Sequence, residues 1–395
     1  MKIAIVSSNE QVAPPPDNVI IASLYMSSIL AEELVRKGHD VYSIVGKGSA
    51  IKTKKAFSLS KPFFEVISKD EWENLGDLRL MWQLIAPFEM DLNLTLLDFL
   101  KTQKVDIVNF HSTLPYYGLP FALRTGLPCV FTLHSTVNPL ELRVIKTFLD
   151  KNIHFVSISN YQRKGYPEIS FRSTVYHGIR LEDFKFSLNG GESMVIASRF
   201  KRIKGIEFAI KVARITAKKL LIAGEVRVSE NEYFYNTIQP LIEENSSLVH
   251  LLNFMNHSMI DGFFRKGKLF LFPIQWEEPF GLVMIESMAT GTPVVAFARG
   301  SVPEVIKDGE TGFIVNSSPD DIRGNWIIKK TGIEGLSEAV EHIYSMPEEK
   351  YRTMRRACRA HVEKNFTVER MVDEYEKVYR KILSGNPIGH NDILI

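Results

Sequence analysis

The sequence predicts an α/β protein made of two halves, each a parallel sheet with crossover helices. Three observations predict it. Short β-rich runs alternate with stretches of helical period along the whole chain. The series starts afresh near Glu192, after a joint at about residues 182–192. At 395 residues the chain has the length of two or three domains, and 45% hydrophobic with 24% charged residues is the composition of a folded protein, which excludes wholesale disorder and collagen-like repeats. No low-complexity segment or short-period repeat breaks the pattern, so a solenoid is excluded as well.

In order, Lys2–Ser7 is a strand; it lacks the basic, apolar and small-residue regions of a signal peptide. Val19–Lys37 is an amphipathic helix, stopped by Gly38 just past its end. Asp40–Val45 is the next strand. Residues 51–90 mix basic, aromatic and apolar segments without one period. Thr95–Thr102 ends a helix, and Val105–Phe110, Pro128–Leu133 and Ile153–Ile158 are buried strands.

In the second half, Ser193–Ser198, Leu220–Ala223, Leu248–Leu251, Leu269–Phe272, Pro293–Phe297 and Phe313–Val315 are strands. Ile206–Ala217, Tyr233–Glu244, Ser258–Lys266, Leu282–Ala289 and Val302–Lys307 are the helices between them. Thr331–Tyr344, Glu348–Asn365 and Val368–Leu383 are helices that close the chain.

Lys and Arg number 48 against 46 Asp and Glu, a net +2, so nothing points to a nucleic-acid partner held by charge. Two cysteines cannot build a disulfide framework; Cys129 reads as a buried thiol and Cys358 as an incidental one in a basic helix. The longest uncharged stretch near the start, Asn18–Ala31, is too short to span a bilayer. A cytoplasmic protein is expected.

In open parallel sheets ligands sit at the C-terminal ends of the strands. Three features stand there. The first is Trp276-Glu277-Glu278-Pro279-Phe280-Gly281-Leu282, which leads into a helix containing Glu286. The amides of Phe280, Gly281 and Leu282 would point out of a helix N-terminus, a site for a phosphate. Glu278 and Glu286 suit vicinal sugar hydroxyls, because a carboxylate accepts two hydrogen bonds. Taken singly they could equally be a helix-start charge and a solvated helix glutamate. The second feature is Arg199 and Lys204, a planar fork and a mobile charge that both suit a diphosphate; the other basic residues between Lys201 and Leu220 read as a solvated helix face. The third is His111 and His134 at successive strand ends, open to a structural or a proton-handling role. No zinc-ligand spacing occurs, so no metal site is expected. Ser301-Val302-Pro303-Glu304 reads as a capping box. The phosphate loop of kinases, the nucleophile elbow of hydrolases and the dinucleotide fingerprint are absent from the sequence.

These residues resemble the family-four GT-B glycosyltransferases, a large retaining group. The resemblance runs through Phe272-Pro273, Trp276–Ala296 with its Glu-x7-Glu pair Glu278 and Glu286, Gly300–Ile306, Asp308-Gly309, Thr311-Gly312-Phe313 and Arg199 with Lys204-Gly205. It continues, less densely, in Leu34–Val41 and Phe131-Thr132-Leu133-His134-Ser135. It implies a GT-B fold: two Rossmann-like domains with parallel sheets facing across a cleft, an acceptor-side domain over residues 1–185 and a donor-binding domain over 186–366. The terminal helix, 367–395, would pack back on the first.

By the same resemblance Arg199 and Lys204 would bind the donor diphosphate, Glu286 the ribose, Glu278 the transferred sugar, and the backbone of Phe280, Gly281 and Leu282 the sugar and phosphate. His134 would be the active-site histidine, with His111 nearby and Asn18 also on the acceptor side. His134, Glu278, Arg199 and Lys204 make up the implied catalytic set. The implied reaction is hexosyl transfer from a nucleotide-diphosphate sugar, with a UDP-sugar as co-substrate and no resident cofactor, to a sugar or lipid-linked acceptor. It would proceed with retention of configuration and without an obligatory metal. Two departures stand out. The loop Pro14–Asn18 has no glycine where the family has a Gly-Gly loop, and Asn253-Phe254-Met255 stands where the family often has Gly. A sugar-nucleotide epimerase and a non-catalytic nucleotide-sugar-binding subunit remain as alternatives. Leu78–Leu100, with Trp82, Phe88 and Phe99, reads either as helices packing on the first sheet or as a surface for peripheral contact with the inner face of a membrane.

Overall fold

The computed structural model describes residues 1–19, 21–67, 78–112, 114–226, 230–252 and 255–385, with backbone alone at 78–83. The chain forms two compact units, one of Met1–His177 with the segment from Val368 onward, the other of Gly178–Thr367. Asn253, Phe254, the side chain of Trp82 and residues 386–395 fall outside the described residues.

The first unit is built on a parallel sheet ordered β3-β2-β1-β4-β5-β6-β7. Its strands are β1 (Lys2–Val6), β2 (Asp40–Val45), β3 (Lys54–Phe57), β4 (Ile107–Phe110), β5 (Cys129–Leu133), β6 (Ile153–Ser157) and β7 (Phe171–Thr174). β4, β5 and β6 are buried at every position. A strand covered on both faces must be apolar throughout, which is why these runs stood out in the sequence. Phe110 and Phe131 stack at 4.5 Å between them.

The helix Val368–Leu383 belongs to this unit because its apolar stripe is buried there: Val368, Met371, Val372, Tyr375, Val378 and Tyr379 recur at helical spacing. Tyr379 accepts a hydrogen bond from Asn109 Nδ2 (2.6 Å), and Tyr375 shares one with Thr132 (3.0 Å). Lys37, at the end of the helix Ala22–Arg36, pairs with Asp373 and Glu376.

The second unit holds a parallel sheet ordered β10-β9-β8-β11-β12-β13. The strands are β8 (Ser193–Ala197), β9 (Leu220–Ala223), β10 (Val249–Leu252), β11 (Gly267–Phe272), β12 (Val294–Phe297) and β13 (Gly312–Val315). The helix Glu348–Asn365 packs on the helix Leu282–Ala289. Arg355, fully buried, donates to the carbonyls of Ser187 and Thr290, and Arg359 to those of Phe184 and Ala289. Two guanidinium groups thus satisfy carbonyls at the C-terminal end of that helix and fix it from behind.

The structure corrects several expectations. β3 and β7 form the edges of the first sheet and went unread, as did the helices Pro115–Thr125, Pro139–Thr147 and Asn160–Lys164. The first helix starts at Ala22 rather than Val19. Cys358 is not incidental: it is fully buried, with Sγ 3.3 Å from the Thr311 carbonyl. Ser301 forms no capping box, because its backbone is already helical (φ −77°, ψ −7°) and its hydroxyl donates to the Phe280 carbonyl instead. Among the described residues no helix is long and apolar enough to cross a membrane.

Candidate active site

In the second unit, Arg199 leaves the end of β8 partly buried, and the 3-10 turn Arg202–Lys204 follows. Gly205 closes that turn at φ +70°; a Cβ there would lie 2.0 Å from the Pro273 carbonyl, so the loops after β8 and β11 touch. That approach brings Lys204 Nζ within 3.1 Å of Glu278 Oε2. Trp276 Nε1 donates to the same oxygen at 3.1 Å, and its ring lies 5.0 Å beneath the Lys204 ammonium. Lys204 and Glu278 are largely buried, with 16% and 12% of their side chains exposed.

Gly281, at φ +81°, turns the chain into the helix Leu282–Ala289. As at any helix start, the first amides lack an acceptor four residues back; that of Met284 donates to the Gly281 carbonyl at 3.0 Å. The carbonyls of Glu278 and Phe280 are tied back to the Ser301 amide (2.9 Å) and hydroxyl (2.7 Å). Glu277 faces elsewhere, held by the Gly300 amide (2.7 Å), Arg299 (3.2 Å) and Arg323 (2.7 Å). Glu286 is 7% exposed, and burial raises its carboxyl above the usual range. His257 Nε2 lies 3.8 Å from Glu286 Oε1 and opposes that rise.

The loop behind the site tolerates no side chain at residue 300. Gly300 has φ +57°, and a Cβ would lie 2.2 Å from the Glu278 carbonyl oxygen and 2.4 Å from its nitrogen. Gly300→Ala is expected to cost about 1–3 kcal/mol, from the strained φ and from displaced backbone. A denaturation midpoint equal to that of the wild type would contradict this.

In the first unit, His111 follows β4 and His134 follows β5, neighbouring parallel strands, so their C-terminal ends lie side by side. His111 Nδ1 and His134 Nε2 are hydrogen-bonded at 2.9 Å. The His177 ring stacks on His134 at 5.3 Å. Burial holds His111 and His177 well below the ordinary histidine range and pushes His134 down to about 3. Burial thus favours the neutral form of all three rings near pH 7. A small cleft beside His134 is also lined by Tyr116, Ser135, Thr136 and Glu141.

Sequence reasoning missed His177 and Glu89. Glu89, on the helix Leu78–Thr102, is 1% exposed. It accepts from Ser112 Oγ (2.6 Å), the Asn9 amide (3.1 Å) and Ser8 Oγ (3.3 Å), which ties the loop after β1 to the loop after β4. Its only sequence signal is one acid amid apolar residues. Asn18 sits exposed in a turn ahead of the first helix. Among the described residues no group of three or more His, Cys, Asp or Glu could hold a metal ion.

Two family models match this chain. The model for Glycosyltransferase Family 4 covers residues 29–183, and that for Glycosyl transferases group 1 covers 180–361. The chain is a group 1 glycosyltransferase. The first match spans His111 and His134, and the second spans Arg199, Lys204, Glu278 and Glu286.

The glycosyltransferase is 21% identical over 390 residues to N-acetyl-alpha-D-glucosaminyl L-malate synthase of Bacillus anthracis, covering 91% of this chain and 94% of that protein. It is 24% identical over 193 residues to an uncharacterized 41.2 kDa protein in the cps region of Klebsiella pneumoniae, covering 48% of this chain and spanning about half of that relative (46%). Sucrose-phosphate synthase from Thermosynechococcus elongatus superposes with a TM-score of 0.74 at 17% identity, covering 98% of this chain and all of that one (100%). Anabaena HepE, solved in complex with UDP and glucose, gives 0.68 at 17% identity, over 96% and 100% of the two chains. The glycosyltransferase has the GT-B fold, with two Rossmann-like halves.

Proposed function

We propose that this glycosyltransferase moves a hexosyl unit from a nucleotide-diphosphate sugar, a UDP-sugar, to a sugar or lipid-linked acceptor, with retention of configuration and without a metal ion. The observation that carries the proposal is the Lys204–Glu278–Trp276 cluster beside the start of the helix Leu282–Ala289. Cation, carboxylate and helix-start amides are the groups a sugar diphosphate needs. A structural relative, Anabaena HepE, was solved with UDP and glucose, which supports the choice of donor.

As the sugar–phosphate bond breaks, negative charge grows on the departing diphosphate. Arg199, Lys204 and the first-turn amides near Gly281 neutralise it. Diphosphate entry draws Lys204 off Glu278, whose carboxylate, still held by Trp276, accepts hydroxyls of the transferred sugar. Glu286 accepts the ribose hydroxyls. The acceptor oxygen bonds to the anomeric carbon on the face that the phosphate leaves, and its proton passes to the departing phosphate oxygen. Glu278 and Glu286 belong to one loop–helix unit, whereas the carboxylates of a retaining glycosidase flank the scissile bond. Neither is cast as a covalent nucleophile.

The test is nucleoside diphosphate release across a panel of donor sugars, with and without a chelator. Release from a UDP-sugar at an unchanged rate in chelator is expected. A rate lost in chelator and restored by Mg²⁺ or Mn²⁺ contradicts metal independence, and a product of inverted configuration contradicts retention.

A further inference from the structure

Glu286 is a buried carboxylate with almost all of its accepting capacity unspent. Its helical neighbours Met284, Ile285 and Met288 are fully buried apolar side chains. Among the described residues, the sole basic side chain within ion-pair distance of it is His257, whose Nε2 lies 3.8 Å from Oε1. At that separation an imidazolium stabilises the carboxylate by charge while leaving its lone pairs for a ligand.

His257 opens the helix His257–Arg265 and lies between two acids on different elements. Glu286 faces it from the helix Leu282–Ala289, and Asp183 from the turn Leu181–Asp183. Arg180 and Glu182 flank Asp183 and act on it with opposite sign. On the helix of His257 itself, Asp261 is tied to Arg265 at 3.0 Å. The edge of the Phe184 ring closes one side at 6.2 Å.

We propose that His257 is a positioning residue for the donor nucleotide: as an imidazolium it holds Glu286 charged and oriented to receive the ribose hydroxyls. The proposal rests on the donor reading above and adds a residue outside the Glu-x7-Glu pair. Without a cation at 257, nothing offsets the cost of keeping a buried carboxylate charged, which weakens recognition of the hydroxyls more than that of the diphosphate.

The experiment compares the affinities of UDP, GDP and ADP by calorimetry, then that of the 2′-deoxy form of whichever binds, for the wild type, His257→Gln and His257→Lys. The wild type should prefer the ribonucleotide. His257→Gln should reduce that preference about tenfold, and His257→Lys should restore it. A preference unchanged in His257→Gln, or lost equally in His257→Lys, overturns this inference alone. A wild type that binds no nucleoside diphosphate overturns the donor reading together with it.

Discussion

Glu278→Gln is expected to lower nucleoside diphosphate release from the donor sugar by about 10², the scale for a bound reactant held about an ångström out of place. The amide keeps the volume of the carboxylate and can still accept from Trp276 Nε1, now 3.1 Å from Oε2. It can no longer pair with Lys204, which lies 3.1 Å from the same oxygen. It also loses half its accepting capacity toward sugar hydroxyls. The loss should fall mainly on kcat, because the diphosphate still has Arg199, Lys204 and the helix amides to bind. Steady-state kinetics on both proteins decides it. A variant with wild-type kcat, or one that still folds but loses affinity for the bare nucleoside diphosphate alone, would place Glu278 outside the chemistry.

That site was legible in the sequence because it is local. The turn glycine Gly281, the helix after it and both glutamates lie within one short segment, and Leu282–Ala289 was bounded correctly. The inner strands were legible for a different reason: Leu269–Phe272 and Val294–Phe297 are buried at every position, so their runs are apolar without a break. The edge strand Lys54–Phe57 had no such signature, being largely exposed and carrying two lysines. His111 and His134 could be placed together from adjacent strand ends, but His177 reaches them from beyond β7, and no local pattern records that stacking. The fastening of the helix C-terminus by Arg355 and Arg359 was equally invisible, since it joins residues some seventy positions apart. Glu89 was lost because the region around it has no single period, and its partners Ser8, Asn9 and Ser112 are assembled by tertiary packing alone.

Glu89 supplies the second large effect, on stability. Burial, with the nearby Glu10 adding to it, raises its carboxyl from 4.5 to about 7 against the lowering effect of its Ser112, Asn9 and Ser8 hydrogen bonds. A carboxyl raised in the folded state favours folding in its protonated form. Its contribution is fully present below pH 4.5 and is lost as pH rises through about 7. The loss amounts to about 3 kcal/mol by pH 8. Glu89→Gln removes the titration while keeping the shape: its amide oxygen can accept from Asn9 and Ser8, and its amide nitrogen can donate to Ser112 Oγ. The variant should match the wild type within about 1 kcal/mol near pH 5 and exceed it by about 3 kcal/mol at pH 8. The buried histidines act in the opposite sense, since groups held below their ordinary range favour folding at higher pH. They are common to both proteins and cancel in the difference. Urea denaturation at a series of pH values measures that difference, and parallel curves for the two proteins from pH 5 to 8 would show that Glu89 remains charged in the fold.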